Sequence, residues 1–217
     1  MKTILSLAFF CFALSFCNLV DRLTGKTGNT TTSNTSANTS SNTGSTSSPD
    51  AGSEPVEKYS LTPAQTAILN GGKEMQWDDQ GIGWVLPPSW KKVSSNPISL
   101  QWSSNDGAFL IVSISPLSDD FPMEASYQAE YKGAETRQKN GELEKFRYVE
   151  IDGVKGVEFI ETMPYDKEGP RRHQWIALRK YAGRTQQINI MLSTKGSNFE
   201  KHRDEFAAIM ASTKITR

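Results

Sequence analysis

Between residues 98 and 193 apolar side chains recur at alternate positions, the period of a β-strand, and short clusters of turn-forming residues interrupt them. The alternation predicts strands over 98–102, 108–115, 144–151, 154–163, 172–181 and 184–193. Asp152-Gly153 and Ala182-Gly183 join the last four into two tight hairpins, because two-residue connections suit antiparallel neighbours. In 108–115, Phe109 and Ile111 fall on one face while Leu110, Val112 and Ile114 fall on the other. A strand apolar on both sides is expected in the middle of a sheet covered on both faces. In 184–193, Ile188, Ile190 and Leu192 alternate with Gln187, Asn189 and Met191, so one face is core and the other is partly covered. Met75-Gln76-Trp77 and Ile82-Gly83-Trp84-Val85-Leu86 form another hairpin around Asp78-Asp79-Gln80-Gly81, and Pro87-Pro88 ends it.

Helical signals lie at the ends of this run and in its middle. Thr62-Pro63-Ala64-Gln65 combines a hydroxyl cap, proline at the first helical position and glutamine to close a capping box, and Asn70-Gly71-Gly72 stops the helix. Residues 123–140 lack a strand period and are rich in Ala, Glu, Gln and Lys, which predicts a helix. Ser197-Asn198-Phe199-Glu200 reads as a second capping box, opening a helix with Phe199, Phe206, Ile209 and Met210 on one face.

The first 58 residues follow different rules. After Lys2, residues 4–16 are an apolar run too short to span a bilayer but suited to the core of an export signal, so 1–16 is expected to be a signal peptide. Leu14-Ser15-Phe16-Cys17 resembles the lipobox of bacterial lipoproteins, which implies a lipid on Cys17; Phe16 departs from that pattern, which has a small residue before the cysteine. Cleavage after Ala13-Leu14-Ser15 is the alternative, leaving a soluble chain. Cys11 and Cys17 are the only cysteines, so cleavage removes any intrachain disulfide and leaves one thiol that a lipid would account for. From 29 to 48 every residue is Ser, Thr or Asn except Ala37 and Gly44, a composition that cannot offset its own ordering entropy. Residues 17–58 are therefore expected to be a disordered linker reaching roughly 35 Å from a membrane, with the folded domain over 59–217.

Lysine plus arginine and aspartate plus glutamate each number 24, so the net charge is zero and nothing general would draw in nucleic acid.

Gly83-Trp84-Val85-Leu86-Pro87-Pro88-Ser89-Trp90 is similar to the opening aromatic-x-hydrophobic-Pro-x-x-Trp strand of the Mog1/PsbP-like superfamily. The close, with its last helix running into Ala211-Ser212-Thr213-Lys214-Ile215, resembles the family's closing helix and tail. The resemblance covers about residues 74–215 and implies an α+β fold, an antiparallel sheet packed with helices. It also implies a non-enzymatic binding or assembly role in the bacterial cell envelope, facing the periplasm or the cell surface. The alternatives are a small secreted hydrolase and a passive surface lipoprotein.

Direct chemical signals are few. His173 and His202 are the only histidines, too few for a protein metal site, so no metal or cofactor is expected; both are read as surface residues among charges. Ser89-Trp90-Lys91-Lys92 has the spacing of a serine–lysine nucleophile but follows two prolines and lacks partner motifs. Glu158 and Glu161, three apart on a strand, face opposite ways. No catalytic residue is expected. What is left is a binding surface. Trp175 shares strand parity with Arg179, and with Arg171, Arg172 and Arg184 these could form an aromatic and cationic groove for an envelope protein or a small ligand. Charges solvating a hairpin edge are the simpler reading.

Overall fold

The computed structural model describes residues 55–216. Strand β1 (Val56–Lys58) precedes helix α1 (Pro63–Asn70), and β2 (Lys73–Trp77) and β3 (Ile82–Leu86) form a hairpin. There follow β4 (Lys91–Asn96), β5 (Ser99–Ser103), β6 (Phe109–Pro116), α2 (Met123–Lys139), β7 (Leu143–Ile151), β8 (Val154–Glu161), β9 (Pro170–Tyr181), β10 (Arg184–Lys195), α3 (Gly196–Ala211) and β11 (Lys214–Ile215). Eight strands build the main sheet in the order β1-β7-β8-β9-β10-β6-β5-β4, and β11-β3-β2 build a small second sheet. The class is the α+β arrangement expected, an antiparallel sheet packed with helices, with one parallel pair, β1 on β7.

Local chemistry explains the elements. Both predicted hairpin turns hold two residues at positive φ, Asp152 and Gly153 (48° and 79°) and Ala182 and Gly183 (49° and 76°), whose twist matches that of the strands they join. Thr62 caps α1 through the Gln65 amide, and the Gln65 side chain returns to the Thr62 N–H. The second expected capping box does not form: α3 starts at Gly196, and Ser197 Oγ donates to Glu168 instead. The β8–β9 loop is folded against that helix end and takes the hydroxyl.

The two faces of the main sheet differ. On one lie α3 and the small sheet, enclosing Trp84, Leu86, Leu110, Trp175, Ile188, Ile190, Phe199, Phe206 and Met210. Trp175 is fully buried, and its Nε1 donates to Val149 O at 3.2 Å. Gly156 lies directly against that indole: a Cβ there would stand 2.5 Å from Trp175 Nε1, so only glycine fits. On the other face α2 covers β7 and β8, with Tyr127 and Ala134 meeting Leu143, Tyr148, Val157, Phe159 and Leu178. The Tyr127 hydroxyl bridges strands, accepting from the Leu178 N–H and donating to Lys155 O, and burial pushes its pKa up to about 12.

Three features differ from the sequence expectation. β1 begins at Val56, ahead of position 59, because pairing to β7 orders a tripeptide whose single apolar residue, Val56, shows no strand period. β4 was hidden for the same reason: Lys91–Asn96 is exposed throughout and is a strand only through its ladder with β5. The third is β6, central as expected but covered on one side only. Leu110, Val112 and Ile114 are buried, while Phe109 is 38% exposed and Ile111 half-buried.

Candidate binding surface

Cross-strand register defines the uncovered surface. One row runs Gln101–Ile111–Met191–Gln174–Phe159–Phe146 across β5, β6, β10, β9, β8 and β7, and the next runs Ser99–Ser113–Asn189–Ile176–Val157–Tyr148. The last two members of each row belong to the cluster around α2. The first four lie on the same face; Ile176 of β9 still packs against that cluster, the members on β5, β6 and β10 lie outside it, and all eight are half-buried. They are hydroxyls, amides and aliphatic groups without a charge, although 22% of the chain is charged. Gln174 Nε2 donates to Asn189 Oδ1 at 2.7 Å, which fixes both amides on the sheet. Phe109 stands at one end of the patch, beside Ser103 and Ser193.

The groove expected around Trp175 and Arg179 is not an open one. The two share a face, as parity requires, but that face is the core. Arg179 is buried, donating to Gln80 O at 2.6 Å, Thr216 O at 3.0 Å and Gln186 Oε1 at 3.2 Å, with its guanidinium 4.2 Å from the Tyr181 ring centre. Burial pushes its pKa below the ordinary arginine value. Arg171 is buried as well, donating to Glu161 O at 2.7 Å, to Glu200 at 2.6 Å and to Glu144, and lies over Phe199. Arg172 is half-buried and bonds Glu161 at 2.9 Å on the opposite face, where Arg137 of α2 also reaches that carboxylate. Arg184 is exposed at the start of β10. These arginines fasten elements of the fold and do not converge on one opening.

Both histidines are buried, contrary to the surface reading. His173 is 3% exposed and its Nε2 lies 2.7 Å from Glu158 Oε1, with Glu158 only 2% exposed. Arg147 donates to Glu158 at 2.6 Å and also pairs with Glu57 of β1, and Tyr59 completes the cover with its hydroxyl 3.3 Å from His173 Nε2. The result is a line of polar and charged side chains across β1, β7, β8 and β9 on the α3 face. Glu158 and His173 have the geometry of an acid–base pair, yet Tyr59 and Glu158 both occupy the same ring nitrogen. Beside Tyr59 opens a shallow cavity of about 400 Å³ lined by Lys58, Glu150, Asp152, Gly153 and Ala211. Sequence alone gave no sign of this network, since its members are spread over four strands.

His202 sits on α3 with Nε2 3.3 Å from Asp106 Oδ2 and its ring stacked on Phe206. Hydrogen bonds from Lys201, first, and then Ser104 hold the Asp106 carboxyl down at about 2. Its share of stability is therefore full above the usual carboxylate range and is lost as pH falls toward 2. Asp106→Asn should flatten the decline of stability with acid between about pH 4 and pH 2, followed by urea titration at each pH. An unchanged slope would show that the ion pair contributes nothing, as exposed pairs often do. Among the described residues no group of three His, Cys, Asp or Glu side chains is placed to hold a metal ion.

No protein-family model matches the chain, and no curated protein matches it in sequence. Solved structures similar to it include LpqN of Mycobacterium tuberculosis, described as involved in cell envelope biogenesis (14% identity, 67% of this chain and 90% of that one, TM-score 0.47). They also include cyanobacterial PsbP from Synechocystis (14%, 67% and 94%, TM-score 0.43). A Bacteroides thetaiotaomicron structure is similar at 11% identity over 68% of this chain, with TM-score 0.44, and the match spans about half, 49%, of its length. The likeness concerns the arrangement of sheet and helices.

Proposed function

We propose that the chain is a non-enzymatic binding protein of the cell envelope, held to a membrane through a lipid on Cys17. In this reading it receives a protein partner on the open half of its main sheet. Residues 1–54, which carry the signal, Cys17 and most of the linker, lie outside the described residues. The observation that carries the binding role is the uncharged sheet surface of Gln101, Ile111, Ser113, Gln174, Asn189 and Met191, continued by the exposed ring of Phe109. Its lack of charge suits a neutral protein surface and not a nucleic acid or an anionic headgroup. Aliphatic side chains supply contact area, methionine adapts its shape, and amides offer donors and acceptors at lower desolvation cost than ions.

One experiment reads both parts. A photo-crosslinking residue placed at Met191 in cells should give one dominant adduct in the membrane fraction. Adding Ile111→Glu should abolish that adduct while leaving the folded yield intact, and Cys17→Ser should shift the protein out of the membrane fraction. Equal adducts from probes at Met191 and at Arg184 would refute the open sheet as the site. Retention of Cys17→Ser on membranes would refute the anchor.

A further inference from the structure

The loop of residues 162–169 between β8 and β9 carries the most exposed aromatic side chain of the described residues. Tyr165 is fully exposed, and Met163 beside it is 41% exposed. Side chains left so open contribute almost nothing to folding, yet the backbone that presents them is fastened at many points. Lys167 N–H donates to Pro164 O at 3.0 Å, Gly169 N–H to Asp166 Oδ1 at 2.8 Å, Ser197 N–H to Lys167 O at 2.6 Å and Gly196 N–H to Gly169 O at 2.9 Å. Lys195 and Ser197 hold Glu168 at 2.8 and 3.1 Å. Gly196 seats the loop: a Cβ there would stand 2.6 Å from Pro164 Cδ and 2.9 Å from Met163 Sδ. A loop braced in this way meets a partner without first losing conformational entropy.

Topology indicates which partner it faces. β8 runs into the loop, and β7, antiparallel to β8, starts at that same end of the sheet. β1 runs parallel to β7, with Val56 opposite Tyr148 and Lys58 opposite Glu150. The N-terminal end of β1 therefore points toward the end of the sheet that bears the 162–169 loop. A tyrosine has an apolar body and a polar tip, the combination that settles at the headgroup level of a bilayer, and methionine adds apolar area. Asp166 accepts from the Gly169 N–H, Glu168 pairs with Lys195, and Lys167 stands exposed between them, so the loop together with Lys195 carries no excess of either charge. Its contact with a bilayer would rest on the amphipathic side chains and not on the charge of the lipid.

We infer that the 162–169 loop is a membrane-contacting tip, with Tyr165 and Met163 entering the headgroup region of a bilayer. This rests on the reading that the N-terminal segment holds the chain at a membrane. A contact of this size is weak alone, but a tether raises its effective concentration to the millimolar range, where a weak contact is populated. The domain then stands on its tip, with the open sheet face turned sideways toward a partner.

Hydroxyl-radical footprinting of the full chain, with and without vesicles of phosphatidylethanolamine and phosphatidylglycerol, tests this by mass spectrometry. Oxidation of Tyr165 and Met163 should fall roughly fivefold on vesicles as the side chains reach headgroup level, while Phe109 and Met191 on the open face should stay reactive. Replacing phosphatidylglycerol by phosphatidylcholine should leave the protection largely unchanged, since the loop carries no excess of basic charge. Chain that floats with the vesicles but keeps Tyr165 fully reactive overturns the tip and leaves the anchor standing. Chain that does not float overturns both.

Discussion

Trp175→Ala is expected to lower folding stability by about 3–5 kcal/mol, the range for removing a buried tryptophan with limited relaxation. The indole is fully buried between sheet and helix, donates to Val149 O and is flanked by Gly156, whose missing side chain leaves room for the ring. The alanine cavity cannot collapse easily, because Ile190 on β10 and Glu158 on β8 are fixed opposite Trp175 by strand pairing. Urea unfolding followed by far-ultraviolet circular dichroism gives the loss directly. A change below about 1 kcal/mol would contradict the core assignment and return Trp175 to the list of partner-binding residues.

Arg147→Ala should be nearly as damaging, for an electrostatic reason. Glu158 is 2% exposed and its charge is compensated by Arg147 at 2.6 Å and by its contact with His173 at 2.7 Å. Removing the guanidinium strands a carboxylate inside the sheet, a change that costs about 3–5 kcal/mol when one partner of a buried pair is deleted. Glu57→Gln, at the exposed end of the same line, should cost less than about 1 kcal/mol. Comparing the two variants by denaturant unfolding separates a buried charge requirement from a surface attraction. Equal losses would mean that the position of β1 and not the charge on Glu158 sets the stability. The Arg147→Ala, Glu158→Leu double variant should recover part of the loss, because no charge then stays buried unpaired.

Much of the fold was legible because local rules and tertiary structure agree. Alternation located β5 to β10, the positive-φ pairs at Asp152-Gly153 and Ala182-Gly183 set two hairpins, and Thr62 with Gln65 marked the start of α1. The misreadings share a cause: each depends on something distant in sequence. β1 and β4 are polar segments that become strands only through the neighbours they pair with, β7 and β5. His173 counted as a surface residue until Glu158 on β8 and Tyr59, just after β1, enclosed it. Trp175 and Arg179 do share a face, but parity cannot say whether a face looks inward or outward. Phe109 and Ile111 show the converse limit. Their apolar alternation was read as a sign of cover, whereas the cluster under α2 reaches β7, β8 and β9 but not β6, and leaves them at the surface. The open sheet could have been suspected from Gln187, Asn189, Gln174 and Ser113, whose polarity on the same side as Ile111 suits water better than a helix.

β1 has a mechanical consequence. The ladder that binds this three-residue strand to β7 lies across the strand axis, the line along which a force on Val56 away from the strand would act. A pull from that direction loads the β1–β7 bonds in shear, together, instead of unzipping them one by one. Glu57 and Tyr59, gripped by Arg147 and His173, then act as a bolt just behind the point of load. A force applied at Val56 would be borne there first, so β1 is the element expected to set how the domain yields under tension.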